Sequence, residues 1–234
     1  HLSCGHTFLD MMDGYQFKHV TTLDGTDTGN NGKADESVGL IWPQSLVWSP
    51  NGKLYILDRG TNAILVLEQG KLRKIAGGSS GMRNGPSDLA LFQKPTNMCL
   101  SASNDLLVAD CGNHAIRFVS DGEVSTFAGG NGAGKVNGSS AIAKFDSPNA
   151  VALNPTNYEV FVSDSGNHCI RRIADAMVSD FAGCGEAGWS DGPNLSAKFR
   201  APEDLLVTST GDVLVADTQN HVIRLISGGN VPTF

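Results

Sequence analysis

The sequence predicts an all-β fold assembled from a repeated four-stranded antiparallel unit, and three observations predict it. The first is an apolar run that ends in aspartate and is followed by a tight turn. It occurs as Leu-Tyr-Ile-Leu-Asp58, Leu-Leu-Val-Ala-Asp110, Val-Phe-Val-Ser-Asp164 and Val-Leu-Val-Ala-Asp217, with the aspartates 52, 54 and 53 residues apart. The second is a proline that keeps the same step, at Pro43, Pro95, Pro148 and Pro202. The third is an Ala-Gly pair closing a short apolar run, at Ala76-Gly77, Ala128-Gly129 and Ala182-Gly183. Three markers in phase define a tandem repeat.

Within one unit the apolar runs are short and bounded by Gly, Asn, Asp or Pro, which is the pattern of strands. In the third unit the first strand is expected over Ala150–Leu153, the second over Glu159–Ser163, the third over His168–Ile173 and the fourth over Met177–Ala182. Four antiparallel strands repeated in tandem are the blades of a β-propeller. Blades pack face to face, so middle strands become apolar on both sides, as in Leu106-Leu107-Val108 and Val213-Leu214-Val215. The expected boundaries are an extension at 1–16, an orphan strand at 17–24, and blades at 25–75, 76–127, 128–181 and 182–234.

Each marker has a local cause. Asp58, Asp110, Asp164 and Asp217 are placed to accept bonds from amides of the following turn. Glycine, and the asparagine two places later, suit the positive φ of a strand reversal. Proline precedes the first strand, where no ladder donor is needed. Gly-rich stretches such as Gly129-Gly130-Asn131-Gly132 carry the chain from the rim of one blade to the centre of the next.

Composition narrows the function. Seventeen Lys and Arg against 24 Asp and Glu give a net charge of −7, and 28 of the 234 residues are glycine. The acidic balance argues against a general nucleic-acid binder, which needs a basic face. No apolar run approaches the roughly 20 residues of a membrane-spanning helix. Cys4, Cys99, Cys111, Cys169 and Cys184 contain no C-x-x-C pair. Strand geometry suggests a disulfide between Cys169 and Cys184, and Cys99 reads as a free buried thiol. The chain opens on His1 and carries sequons at Asn137 and Asn194, from which a processed, secreted glycoprotein is expected.

The Asn-His-x-Ile-Arg core, with Asp three places before the Asn, resembles the NHL repeat. So do Phe92–Pro95, Phe145–Pro148 and Phe199–Pro202 as Phe-x-x-Pro, and the resemblance covers about residues 20–234. The first unit departs, reading Ala63 for His, Leu65 for Arg and Ile41-Trp42-Pro43 for Phe-x-x-Pro. The resemblance implies a propeller of four NHL-type blades in this chain. Such propellers generally close with six blades, so three outcomes stand: self-closure as four, part of a larger ring, or completion by another chain through self-association.

Histidines His114, His168 and His221 occupy equivalent places on successive blades. Sheets stack roughly 10 Å apart, whereas zinc holds each imidazole nitrogen at about 2.1 Å, so ring packing between blades is expected in place of a metal centre. The family's zinc lyase carries a ligating histidine directly after the strand-opening proline. Here the matching residues are Gln44, Thr96, Asn149 and Glu203, so no metal or catalytic set is expected. A calcium ion of the lactonase type would draw on Asn97, Asn149, Glu203 and Asp204 at the channel mouth. That metal-dependent enzyme is the principal rival, and an RNA-binding domain of the tripartite-motif kind is the second. Arg117, Arg171 and Arg224 are expected in blade-surface ion pairs of little energetic weight. The reading is a non-catalytic propeller that binds a protein or glycan partner, takes no cofactor and presents Arg83, Lys135 and Trp189 on one loop face.

Overall fold

A computed structural model of the chain describes residues 39–233. The orphan strand at 17–24, the extension at 1–16 and Cys4 lie outside them. The described residues form four antiparallel blades in the arrangement of a four-blade propeller. Blade 1 holds β1 (Pro43–Trp48), β2 (Leu54–Asp58), β3 (Ala63–Glu68) and β4 (Lys71–Gly77). After a connecting loop containing β5 (Gly85–Pro86), blade 2 holds β6 (Asn97–Leu100), β7 (Leu106–Asp110), β8 (Ala115–Ser120) and β9 (Glu123–Gly129). A second loop contains β10 (Gly138–Ser139), followed by β11 (Pro148–Leu153), β12 (Val160–Asp164), β13 (Cys169–Ala174) and β14 (Met177–Ala182) of blade 3. The third loop contains β15 (Gly192–Pro193), and blade 4 holds β16 (Pro202–Val207), β17 (Val213–Asp217), β18 (Val222–Ile226) and β19 (Asn230–Val231).

The loops differ from expectation. They do not stay on one face but run down the outer edge of the next blade as a fifth strand. β5 pairs with β9, β10 with β14 and β15 with β19. Ala-Gly is the end of a fourth strand, so the boundaries expected at 75/76, 127/128 and 181/182 fall inside the last residues of β4, β9 and β14.

Successive blades are sealed by apolar layers. Leu57, Ile64 and Ala76 of blade 1 meet Phe92, Met98, Leu106 and Val108 of the next unit. Leu107, Ile116 and Ala128 meet Phe145, Val151 and Val162, and Ala150, Phe161 and Ile170 meet Phe199, Leu205 and Val215. Packing on both sides explains why β7 and β12 are buried throughout and their apolar residues, Leu106–Ala109 and Val160–Val162, do not alternate with polar ones.

Candidate functional site

The repeat motif builds a buried polar cluster in each of blades 2, 3 and 4. In blade 3, Asp164 at the end of β12 accepts bonds from the Asp146 amide (2.7 Å), Asn167 Nδ2 (2.8 Å) and Arg171 (2.9 Å). Arg171 also donates to the carbonyls of Lys144 and Val136 and to Asn137 Oδ1, and its guanidinium lies 5.4 Å over the Phe145 ring. The same set recurs as Asp110–Asn113–Arg117 over Phe92 and Asp217–Asn220–Arg224 over Phe199. Burial pushes the Asp164 carboxyl up to about 6 against these donors.

Two expectations are corrected here. Arg117, Arg171 and Arg224 are not surface pairs: all three side chains are fully buried. Their fork of N–H donors adds a second bond to carbonyls of the connecting loop, which already pair with each other across a β-bridge, and an aromatic ring lies against each guanidinium. The aspartates of blades 2–4 accept from the residue two before the strand-opening proline, not from the turn's own amides. Only Asp58 does that, through Gly60. It also takes Ile41, Trp42 and Thr61, so its oxygens are satisfied without a guanidinium, and Leu65 fills the arginine position.

Histidine's role is directional. His114 Nδ1 accepts the Ser147 amide at 3.0 Å and His168 Nδ1 accepts the Ala201 amide at 3.1 Å. Each donor sits just before the next blade's proline at positive φ. The imidazole thus clips one blade to the following one. Strand register pairs Asp58 with Ala63 and Asp110 with Ala115, so Asn62, not Ala63, stands at the histidine position. Asn62 Oδ1 makes the same clip to the Lys94 amide at 2.7 Å. These histidines, and not the asparagines before them, take the left-handed turn position, with φ of 52° to 58°.

The inner strands carry the expected mouth residues. Thr96 Oγ1 donates to the Asn149 carbonyl at 2.7 Å, and Asn97 Oδ1 accepts the Val151 amide at 3.2 Å. Gln44 and Glu203 are exposed. Asp204 accepts its neighbour Leu205's amide, and burial raises its carboxyl. Among the described residues no three His, Cys, Asp or Glu side chains gather in a metal-binding group. On the loops, Arg83 is exposed, and its carbonyl accepts Arg117. Lys135 lies 3.4 Å from Asp180, and exposed Trp189 donates to Thr233 at 3.1 Å. Asn137 is exposed, with its Oδ1 on Arg171. Asn194 is half-buried, and its Oδ1 is buried without a partner among the described residues. Cys169 and Cys184 are both free, the first buried in β13 and the second exposed past Gly183, which removes the expected bridge.

Comparison with known proteins falls on the same units. The NHL repeat family matches residues 92–117 and 145–173, the stretches from each Phe-x-x-Pro to the buried arginine and beyond. Two of the four units are thus similar to the NHL repeat. NHL repeat-containing protein 2 of Gallus gallus is 29% identical over 87% of this chain and 33% of its own length. The chain therefore spans about a third of that curated relative. An auxiliary nutrient binding protein from Bacteroides thetaiotaomicron superposes with a TM-score of 0.64 at 19% identity, covering 81% of this chain and 47% of that one. A streptogramin B lyase gives 0.57 at 15% identity, over 82% and 54%. At such identities these structures show the shared propeller fold.

The buried arginines are what sequence reasoning missed in these NHL repeats. A signal was present: every unit with Arg at this place has Phe in Phe-x-x-Pro, and the one with Leu65 has Leu40 instead.

Proposed function

We propose that this propeller of NHL-type repeats is a non-catalytic scaffold that binds a protein or glycan partner through its connecting loops, outside the cell. One observation carries the reading: the charged residues of the motif are consumed in holding loops and blades, while equivalent loop positions diverge. Met82, Lys135 and Trp189 stand at one repeat position, as do Arg83, Val136 and Ser190. A constant frame with varied tips is how a scaffold acquires specificity, and exposed Trp189 is the best anchor among them. The solvent-facing Asn137 sequon supports the location, and a mass loss on glycosidase treatment of protein from its native source is the expected sign.

The rival is an enzyme using a cation at the channel mouth. It is favoured by Glu203 and Asp204 lying side by side at the start of β16 and by the fold shared with a lyase. Elemental analysis of the purified chain separates the two. The scaffold reading expects no stoichiometric calcium or zinc; one equivalent of either, lost in Glu203→Gln with Asp204→Asn, would overturn it. The RNA alternative is tested by binding at physiological salt, where the acidic surface predicts no retention.

A further inference from the structure

A cavity at the junction of blades 1 and 2 is left unused by the repeat motif. It measures about 270 Å³ and is lined by Tyr55, Arg73 and Ile75 of blade 1, by Asp105 and Asp121 in two turns of blade 2, and by Ser87 of the connecting loop. Ser87 is 7% exposed. Its amide donates to the Gly122 carbonyl at 2.8 Å, and its carbonyl accepts the Gly77 amide at 3.1 Å. Its hydroxyl has no partner among the described residues. Ser140 makes the same two backbone bonds at the next junction, yet turns its hydroxyl to the Ala176 carbonyl at 3.1 Å. A buried hydroxyl without a partner is costly, and a ligand in the cavity would supply one. Three more residues set this junction apart. Strand register places Tyr55, Arg73 and Ile75 where blade 2 has Leu107, Ser125 and Phe127, and blade 3 has Phe161, Ser179 and Phe181. Phe127 and Phe181 pack into their junction layers, the second with its ring 4.6 Å from that of Phe161. Ile75 lacks that bulk.

We propose that this cavity binds one neutral pyranose ring. Size limits the occupant, because drug-sized ligands fill pockets of about 300–1,000 Å³; a single ring fits here and a longer chain does not. Charge limits it further. One guanidinium stands against two carboxylates, so an anion meets Asp105 and Asp121, and a cation meets Arg73. A neutral polyol uses both signs. Arg73 and Ser87 donate to its oxygens, the two carboxylates accept its hydroxyls through charge-assisted bonds, and the Tyr55 ring and Ile75 cover its C–H face. Asp105 already accepts the Ser103 hydroxyl, which fixes its position. None of the loop tips Met82, Lys135 and Trp189 lines the cavity, so the sugar site stands apart from the partner-binding loops proposed above.

The test titrates the chain with glucose, galactose, mannose and N-acetylglucosamine, read by saturation-transfer NMR, beside the variants Ile75→Phe and Ser87→Ala. At least one of the four sugars is expected to bind, with a dissociation constant in the millimolar range. Phenylalanine already occupies the equivalent place in two blades, so Ile75→Phe is expected to keep the melting temperature while abolishing the signal. Ser87→Ala is expected to weaken binding about tenfold, the loss of one hydrogen bond. The absence of binding by all four sugars overturns the proposal, as does binding that neither variant changes. Free arginine or glutamate binding in place of the sugars, with the same loss in Ile75→Phe, assigns the cavity to an amino acid and overturns it too.

Discussion

At the scale of single residues, the histidine of the repeat does two jobs that can be separated. It adopts a left-handed backbone and it accepts the next blade's amide. Asparagine does both at position 62, so His168→Asn is expected to leave stability within about 0.5 kcal/mol. His168→Ala loses the acceptor and strains the backbone, and is expected to cost about 2 kcal/mol in urea unfolding. Cysteines supply a pH prediction. Burial pushes the Cys99 and Cys169 thiols up to about 12, so in the folded chain they stay protonated while the unfolded chain ionises them near 9. The unfolded state then binds fewer protons, and stability falls as pH rises from about 9 towards 12. Replacing both with alanine is expected to flatten that part of the pH profile. Iodoacetamide at pH 8 is expected to modify exposed Cys184 first and to reach Cys169 only on unfolding.

At the scale of the element, strands were legible and connectors were not. β12 and β13 could be placed within a residue because Val160-Phe161-Val162 and Cys169-Ile170 must be apolar where two blades sandwich them. Connecting loops look featureless in sequence, yet β10 and β15 use only two residues each to add an outer strand, too short for any periodicity to register. Arg171 was misplaced for a related reason. An arginine in a strand reads as solvent-facing unless its acceptors are known, and those are loop carbonyls 27 and 35 residues earlier in the chain. The turn from strand to loop is a tight point. Gly129 has φ of +81°, and an added Cβ would stand 2.7 Å from both the His114 carbonyl and the Phe145 ring. Gly129→Ala is therefore expected to cost about 3 kcal/mol, the upper end for a strained residue, with a matching drop in melting temperature.

At the scale of the whole molecule, the repeat settles architecture more firmly than activity. Spacing of aspartate and proline was enough to define the propeller, because tandem blades leave a periodic trace. The candidate site has no such trace. Trp189 is a candidate on residue type alone, and of the mouth residues Asn97 is tied to a neighbouring strand by its side chain and Asn149 by its backbone carbonyl. The picture that unites these scales is a frame whose buried charges serve architecture, each Asp–Arg pair pinning one connecting loop to its blade. Removing one partner of such a pair leaves the other charge unpaired in the interior. The most direct measurement is urea unfolding of Arg171→Leu at neutral pH. The account predicts a loss of about 3–5 kcal/mol with the β-sheet spectrum retained; a change within about 0.5 kcal/mol, the range of an ordinary surface substitution, would contradict it.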